Sequence, residues 1–204
     1  MYFVKTPNII KPLYRDLIWN FPSHDKVVYL TFDDGPTPEV TNKVFEILNA
    51  YQAKATFFLI GNNVKEHPEY LSKYEQEGHR YGNHSYSHPN GWQTDTKSYL
   101  EDVERAGKLI SSNLFRPPYG RIKREQSKQL RSDYHLIMWD VLSGDFDKTV
   151  DVDQCYRNVV NNVESGSIVV FHDSKKFAET MLATLPRVLD KLTAEGYRFD
   201  AIRL

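Results

Sequence analysis

VVYLTFDDGPTPEV, residues Val27 to Val40, carries three signals in sequence. The apolar, β-branched run VVYLTF reads as a buried strand. Two adjacent carboxylates, Asp33 and Asp34, follow it. Thr37 as N-cap and Pro38 at the first helical position then open a helix, whose apolar stripe is Val40, Val44, Ile47, Leu48 and Tyr51. Asp, Gly and Pro are ordinary turn formers, so the local reading of FDDGP is a solvated turn. Like charges at a strand end repel, and the pair means more than a turn only if distant segments bring partners to it.

The alternation of strand and helix continues along the chain. KATFFLI (54–60) predicts a strand, and 63–77 a helix with a kink at Pro68. HRYGN (79–83) is a short strand followed by a helix over 95–111, and LFRPP (114–118) a short strand followed by one over 123–132. YHLIMWD (134–140) is a strand before a helix over 151–165. SIVVFH (167–172) precedes a long helix over 178–195, and YRFDAI (197–202) is the last strand. Seven β/α units with no boundary between them imply one α/β domain with a parallel sheet, either a closed barrel or an open doubly wound sheet. No Gly-rich dinucleotide fingerprint follows the first strand.

The unusual polar residues fall where strands end. Asp33 and Asp34 follow the first strand, His84 and His88 the third, Arg116 sits at the fourth, Asp145 follows the fifth, and His172 ends the sixth. In a (β/α) barrel these positions form the carboxyl rim, where active sites are built. His84 and His88 are four apart in NHSYSHP, so one helical turn would stack both imidazoles on a common face and let them share one metal. A rim carboxylate would complete a His2Asp site with open positions, and the cation would offset the repulsion between Asp33 and Asp34 while leaving one carboxylate free. Arg116 could hold that free carboxylate in a bidentate pair. Pro117 and Pro118 would stiffen the loop presenting the Tyr119 backbone N–H. His172 could protonate a leaving group, with Asp145 raising its pKa.

The composition sets outer limits. The 204 residues carry 26 Lys plus Arg against 27 Asp plus Glu, so no overall field draws the chain to nucleic acid or an anionic membrane, and neither is an expected partner. The single cysteine, Cys155, lies in a helical pattern and reads as a core or boundary thiol. Residues 1–26 read as an ordered arm packed on the domain. They never run seven apolar residues together, which predicts neither a signal peptide nor a membrane span. Taken as given, the chain is expected in the cytoplasm, and outside it if a leader has been removed. The oligomeric state is not legible.

Taken in order, TFDDGP (31–36), HSYSH (84–88), RPPYG (116–120), WDVLSGDF (139–146) and VFHD (170–173) resemble the polysaccharide deacetylases, carbohydrate esterase family four, also called the nodulation-type deacetylase domain. The resemblance covers about residues 27–202. It implies a distorted (β/α)7 barrel as a single deacetylase domain over 27–204. By the same match Asp34, His84 and His88 hold a divalent metal, usually zinc; by its donor chemistry a His2Asp site with open positions can also accept cobalt, nickel or manganese. Asp33 is the general base oriented by Arg116, and His172 is the general acid tuned by Asp145. The substrate implied is an acetylated glycan: N-acetylglucosamine units of chitin oligosaccharides or peptidoglycan, with an O-acetyl xylan ester, or glycan binding without catalysis, as alternatives.

The chain departs from the family pattern at Leu142, where an Asp is frequent, at Phe146, commonly Trp, and at Val170, commonly Leu. Phe146 and Val170 are the expected lining of the acetyl pocket, and Trp92 is a rim residue placed to stack on a sugar. An aspartyl-nucleophile phosphatase is a poorer match to FDDGPT, because the second Asp that such enzymes require is replaced by Gly35.

Overall fold

The computed structural model describes residues 2–204. Its central strand is β1 (Val27–Asp33). The period-2 pleat sends Val28, Leu30 and Phe32 outward, where they pack with Val40, Val44 and Leu48 of helix α1 (Pro38–Ala50). Inward-facing Tyr29 joins Phe58, Leu114, Ile137, Ile168 and Ile202 in a second, interior cluster. Both faces of β1 are covered, which is why its sequence is a nearly unbroken apolar run.

All strands are parallel. β2 (Ala55–Leu59), β3 (Arg80–Asn83), β4 (Leu114–Phe115) and β5 (His135–Leu136) follow β1 on one side, and β7 (Ile168–His172) and β6 (Val141–Leu142) on the other. β8 (Arg198–Phe199) pairs with the start of β1. The expected strand over 134–140 is therefore found as two pieces, β5 and β6, because the segment changes neighbours. Ile137 N–H still donates to Phe115 O beside β4, whereas Asp140 N–H donates to Ile168 O beside β7. Counted as one segment that switches partner, it brings the strands to seven and joins the two ends of the sheet into a distorted barrel. β4 stops after two residues, since Pro117 and Pro118 have no N–H for a ladder.

Helices α2 (Gly61–Glu66) and α3 (Glu69–Gln76) replace the single helix expected over 63–77, because Pro68 disfavours helical backbone at His67. Helices α4 (Thr96–Gly107), α5 (Arg124–Leu130), α6 (Val152–Val160) and α7 (Ala178–Ala194) complete the outer layer. Thr37 precedes α1, but its hydroxyl makes no cap bond. Its amide donates instead to Thr41 Oγ1. Cys155 is buried in the α6 face, where burial pushes the thiol up to about 12. Among the described residues no helix is long and apolar enough to cross a membrane.

The N-terminal segment lies along the switching strand. Leu142 N–H donates to Val4 O, Met138 N–H to Ile18 O, and Phe21 N–H to Gly166 O. Lys5 and Lys11 each place Nζ 2.7 Å from one carboxylate oxygen of buried Asp140, which also accepts from the Ser167 hydroxyl. These partners outweigh the cost of burial and hold the Asp140 carboxyl below its ordinary range. Asp140→Ala is expected to cost about 3 kcal/mol by urea denaturation, as when one partner of a buried ion pair is removed. Because the folded carboxyl titrates low, the difference from wild type should be full at pH 7 and shrink as pH falls below about 4. An unchanged denaturation midpoint at pH 7 would show the clamp contributes nothing.

Candidate active site

Asp33 is the last residue of β1 and points into the barrel beside Thr31. It meets Arg116, which follows β4 and is wholly buried. Nη1 of Arg116 donates to Asp33 Oδ1 and to Thr31 Oγ1, each at 2.7 Å. Nη2 donates to Met138 O at 2.9 Å and Nε to Ile137 O at 3.3 Å. The guanidinium also lies 4.1 Å above the Phe58 ring. The pair is therefore single and not the expected bidentate fork, because Nη2 is taken by a backbone carbonyl of the switching strand. Burial alone would raise the Asp33 pKa. The adjacent Arg116 charge, with His84 and His172, outweighs it and keeps the carboxyl below its usual range.

Asp34, His84 and His88 form a cluster whose ligand atoms all lie within 4.8 Å of one another. Nε2 of His88 is 3.4 Å and Nε2 of His84 3.9 Å from Asp34 Oδ1. That oxygen is buried and has no hydrogen-bond partner, the condition of an atom that awaits a cation. His84 Nδ1 lies 2.7 Å from Arg116 O, which can only accept, so Nδ1 carries the proton and Nε2 offers its lone pair. Burial lowers the His84 pKa to about 4 and lowers that of His88, which keeps both imidazoles neutral and able to ligate. The donor set thus fits a divalent cation.

The turn that carries the two histidines is not the helical turn that their spacing suggests. Ser85 and His88 adopt left-handed backbone, with φ of 65° and 60°. Asp102 of α4 organises the loop by accepting from the amides of Tyr86 and Ser87 and from the Ser87 hydroxyl. Asp34 is also left-handed, at φ 79°, with its carbonyl held by Asn63 Nδ2. The next residue has no room for a side chain: a Cβ at Gly35 would stand 2.5 Å from Asp173 Oδ2.

His172 ends β7 with both of its backbone-proximal donors on Asp145. Its amide reaches Oδ2 at 2.7 Å and Nδ1 reaches Oδ1 at 2.8 Å. Burial acts to lower the His172 pKa, but the Asp145 charge and hydrogen bond, with Asp34 and Asp33 beyond, raise it to about 9. Phe146 stands beside this histidine, ring centroids 5.4 Å apart. Val170 shares the inner face of β7 but is buried under the site, while Leu142 pairs with it across the ladder. Trp92 and Tyr119 are 61% and 59% exposed on the rim. Tyr119 has φ 59° in a turn closed by the amides of Gly120 and Arg121, so its own N–H is not used in closing it.

Several contributors carried no local signal in the sequence. Asp102 looks like any helical surface acid. Tyr2 and Phe177 join Phe146 around His172, with Tyr2 and Phe146 ring centroids 5.0 Å apart. Asp173 lies in VFHD with no role assigned from sequence. Its amide holds Asp33 O, its carboxylate accepts from Thr41, and burial with the nearby aspartates pushes its pKa up to about 7.

Residues 21–135 match the model of the family described as polysaccharide deacetylase. A peptidoglycan-N-acetylglucosamine deacetylase of Bacillus cereus is 32% identical over 191 residues, 90% of this chain and 90% of that protein. The peptidoglycan-N-acetylmuramic acid deacetylase PdaC of Bacillus subtilis is 34% identical over 188 residues, 88% of this chain, which spans only 38% of that longer protein. Among solved structures, a peptidoglycan N-acetylglucosamine deacetylase in complex with 4-naphthalen-1-yl-N-oxidanyl-benzamide superposes with a TM-score of 0.84 and 30% identity, covering 95% of this chain and 94% of that one.

The His172–Asp145 contact predicts a pH signature. With His172 as a proton donor, turnover should fall as pH rises through the His172 pKa, which Asp145 raises above the ordinary imidazole value. Asp145→Asn removes the partner charge, so the basic limb of the kcat profile should move down by about one pH unit or more. A limb that stays in place would mean that Asp145 does not set it.

Proposed function

The chain belongs to the polysaccharide deacetylase family, carbohydrate esterase family four, and from that premise we propose that it hydrolyses acetyl groups from N-acetylglucosamine units of a glycan, as in peptidoglycan or chitin oligosaccharides. The observation that carries this reading is the arrangement of three functions on one rim. They are a three-donor cluster, a second carboxylate beside it held by a buried arginine, and a histidine held protonated by its own aspartate. The similarity to deacetylases named for N-acetylglucosamine favours the amide over the acetyl ester.

Asp34, His84 and His88 are the residues that would hold the cation. Two imidazoles and one carboxylate with open positions suit zinc first, and also cobalt, nickel or manganese. When bound, the cation supplies Lewis acidity that lowers the pKa of a water and polarises the acetyl carbonyl. Asp33 Oδ2 is not engaged by the guanidinium and takes the proton from the attacking water, while Arg116 fixes Oδ1. The Tyr119 N–H donates to the carbonyl oxygen as it becomes negative. His172 Nε2 gives its proton to the departing sugar nitrogen as the C–N bond breaks, and Asp145 holds Nδ1–H throughout. Acetate and the free amine are the products. The pKa of Asp33 is depressed and that of His172 raised, so base and acid coexist in their working forms at neutral pH. Phe146 would line the pocket beside the acetyl group, with Val170 beneath it.

Acetate release from N-acetylglucosamine oligomers and from acetylated xylan, each with a chelated control, tests the reading. Chelator-sensitive release from the former is expected, and release from xylan alone would overturn the amide assignment. Asp33→Asn should keep its metal and lose roughly 10²- to 10⁴-fold in turnover, as for loss of a general base. His84→Ala should lose both. Wild-type rates from Asp33→Asn would contradict the division of labour between the two aspartates.

A further inference from the structure

Two rim loops, 88–94 after β3 and 119–123 after β4, are sewn together by one buried side chain. Gln126 Nε2 donates to Gly91 O at 3.0 Å and Thr94 O at 3.3 Å, and its Oε1 accepts the Lys123 N–H at 2.8 Å. Lys123 Nζ and Trp92 Nε1 cross the same seam to Thr94 O and Ile122 O. The loops are so close that a Cβ at Gly91 would collide with Arg121 O. Such a seam holds its exposed side chains in fixed relation before any ligand arrives.

What the seam presents is a cation between two aromatic faces. The Arg121 guanidinium lies 5.3 Å from the Trp92 ring and 6.0 Å from the Tyr119 ring, and all three residues are exposed. Tyr119 in turn packs against His88, ring centroids 4.6 Å apart, so the cation stands one ring away from the proposed metal ligands. Arg121 has no carboxylate partner among the described residues, nor have its neighbours Lys123 and Arg124. An aromatic-flanked guanidinium on the rim combines a positive charge that attracts an acidic ligand with faces on which sugar rings stack.

We propose that Arg121, set between Trp92 and Tyr119, is a subsite for the carboxylate of an acidic glycan. The reading rests on the proposed deacetylation of a glycan and narrows its substrate to chains bearing a carboxylate close to the acetyl group under attack. That carboxylate comes from a lactyl ether, as on N-acetylmuramic acid, or from a uronic acid. The aromatic rings take the apolar faces of the sugar, and the guanidinium fork takes the two carboxylate oxygens.

Equilibrium binding distinguishes these sources without turnover. Metal-loaded Asp33→Asn protein, which spares the ligand, is titrated calorimetrically at low salt. The three tetrasaccharides are alternating N-acetylglucosamine and N-acetylmuramic acid, a glucuronic-acid-bearing xylotetraose, and neutral chitotetraose. At least one acidic ligand should bind about tenfold tighter than chitotetraose, and the tighter of the two names the source of the carboxylate. Adding Arg121→Gln should bring that ratio to about one, and Arg121→Lys should keep part of it. No preference for either acidic ligand, or a preference that survives Arg121→Gln, overturns the proposal. Failure of acetate release by the wild-type protein would instead overturn the deacetylase reading and leave this comparison readable.

Discussion

A buried guanidinium must be surrounded by acceptors, and Arg116 forces three parts of this chain to meet for that reason. Its donors reach the end of β1 at Thr31 and Asp33 and the carbonyls of Ile137 and Met138 on the switching strand, while Phe58 covers its face. Its own carbonyl fixes the tautomer of His84. Barrel closure and the geometry of the site are thus one constraint. The residue that ties the switching strand to β1 also keeps Asp33 ionised, leaves one of its oxygens free, and leaves the lone pair of His84 Nε2 on the side of the aspartates.

Around that centre the charges are arranged in opposing pairs. Asp33 has its cation inside the barrel in Arg116, and His172 has its anion in Asp145. Each pair moves the pKa of Asp33 or His172 away from neutrality in the direction that suits its proposed task. Asp34 is different, because its buried Oδ1 has no protein partner. A buried acceptor without a donor is costly, and neither imidazole beside it makes a hydrogen bond to it. A bound cation answers that deficit.

Much of this was legible in the sequence because it depends on local pattern. Apolar runs at 27–32 and 167–172 marked strands whose ends carry Asp33 and His172, and the order of signatures placed Asp34, His84, His88, Arg116 and Asp145 on one rim. What was not legible depends on long-range contact. The segment 134–140 reads as one strand, and only its change of neighbour from β4 to β7 divides it. The spacing of His84 and His88 suggests a helical turn, but Asp102 draws the loop into left-handed backbone. Arg116 reads as a bidentate partner, yet the Met138 carbonyl competes for its second nitrogen. The seam made by Gln126 reaches back 35 residues to Gly91, and no periodicity announces it.

The adjacent aspartates are proposed to have separate roles, Asp34 as ligand and Asp33 as a free carboxylate on Arg116. Diffraction from zinc-soaked crystals, with anomalous data collected at the zinc edge, distinguishes them. One strong peak bonded to Asp34, His84 and His88 is expected, with Asp33 still on Arg116 and outside the coordination sphere. A peak ligated by Asp33 in place of Asp34, or no peak within the cluster, would contradict that division.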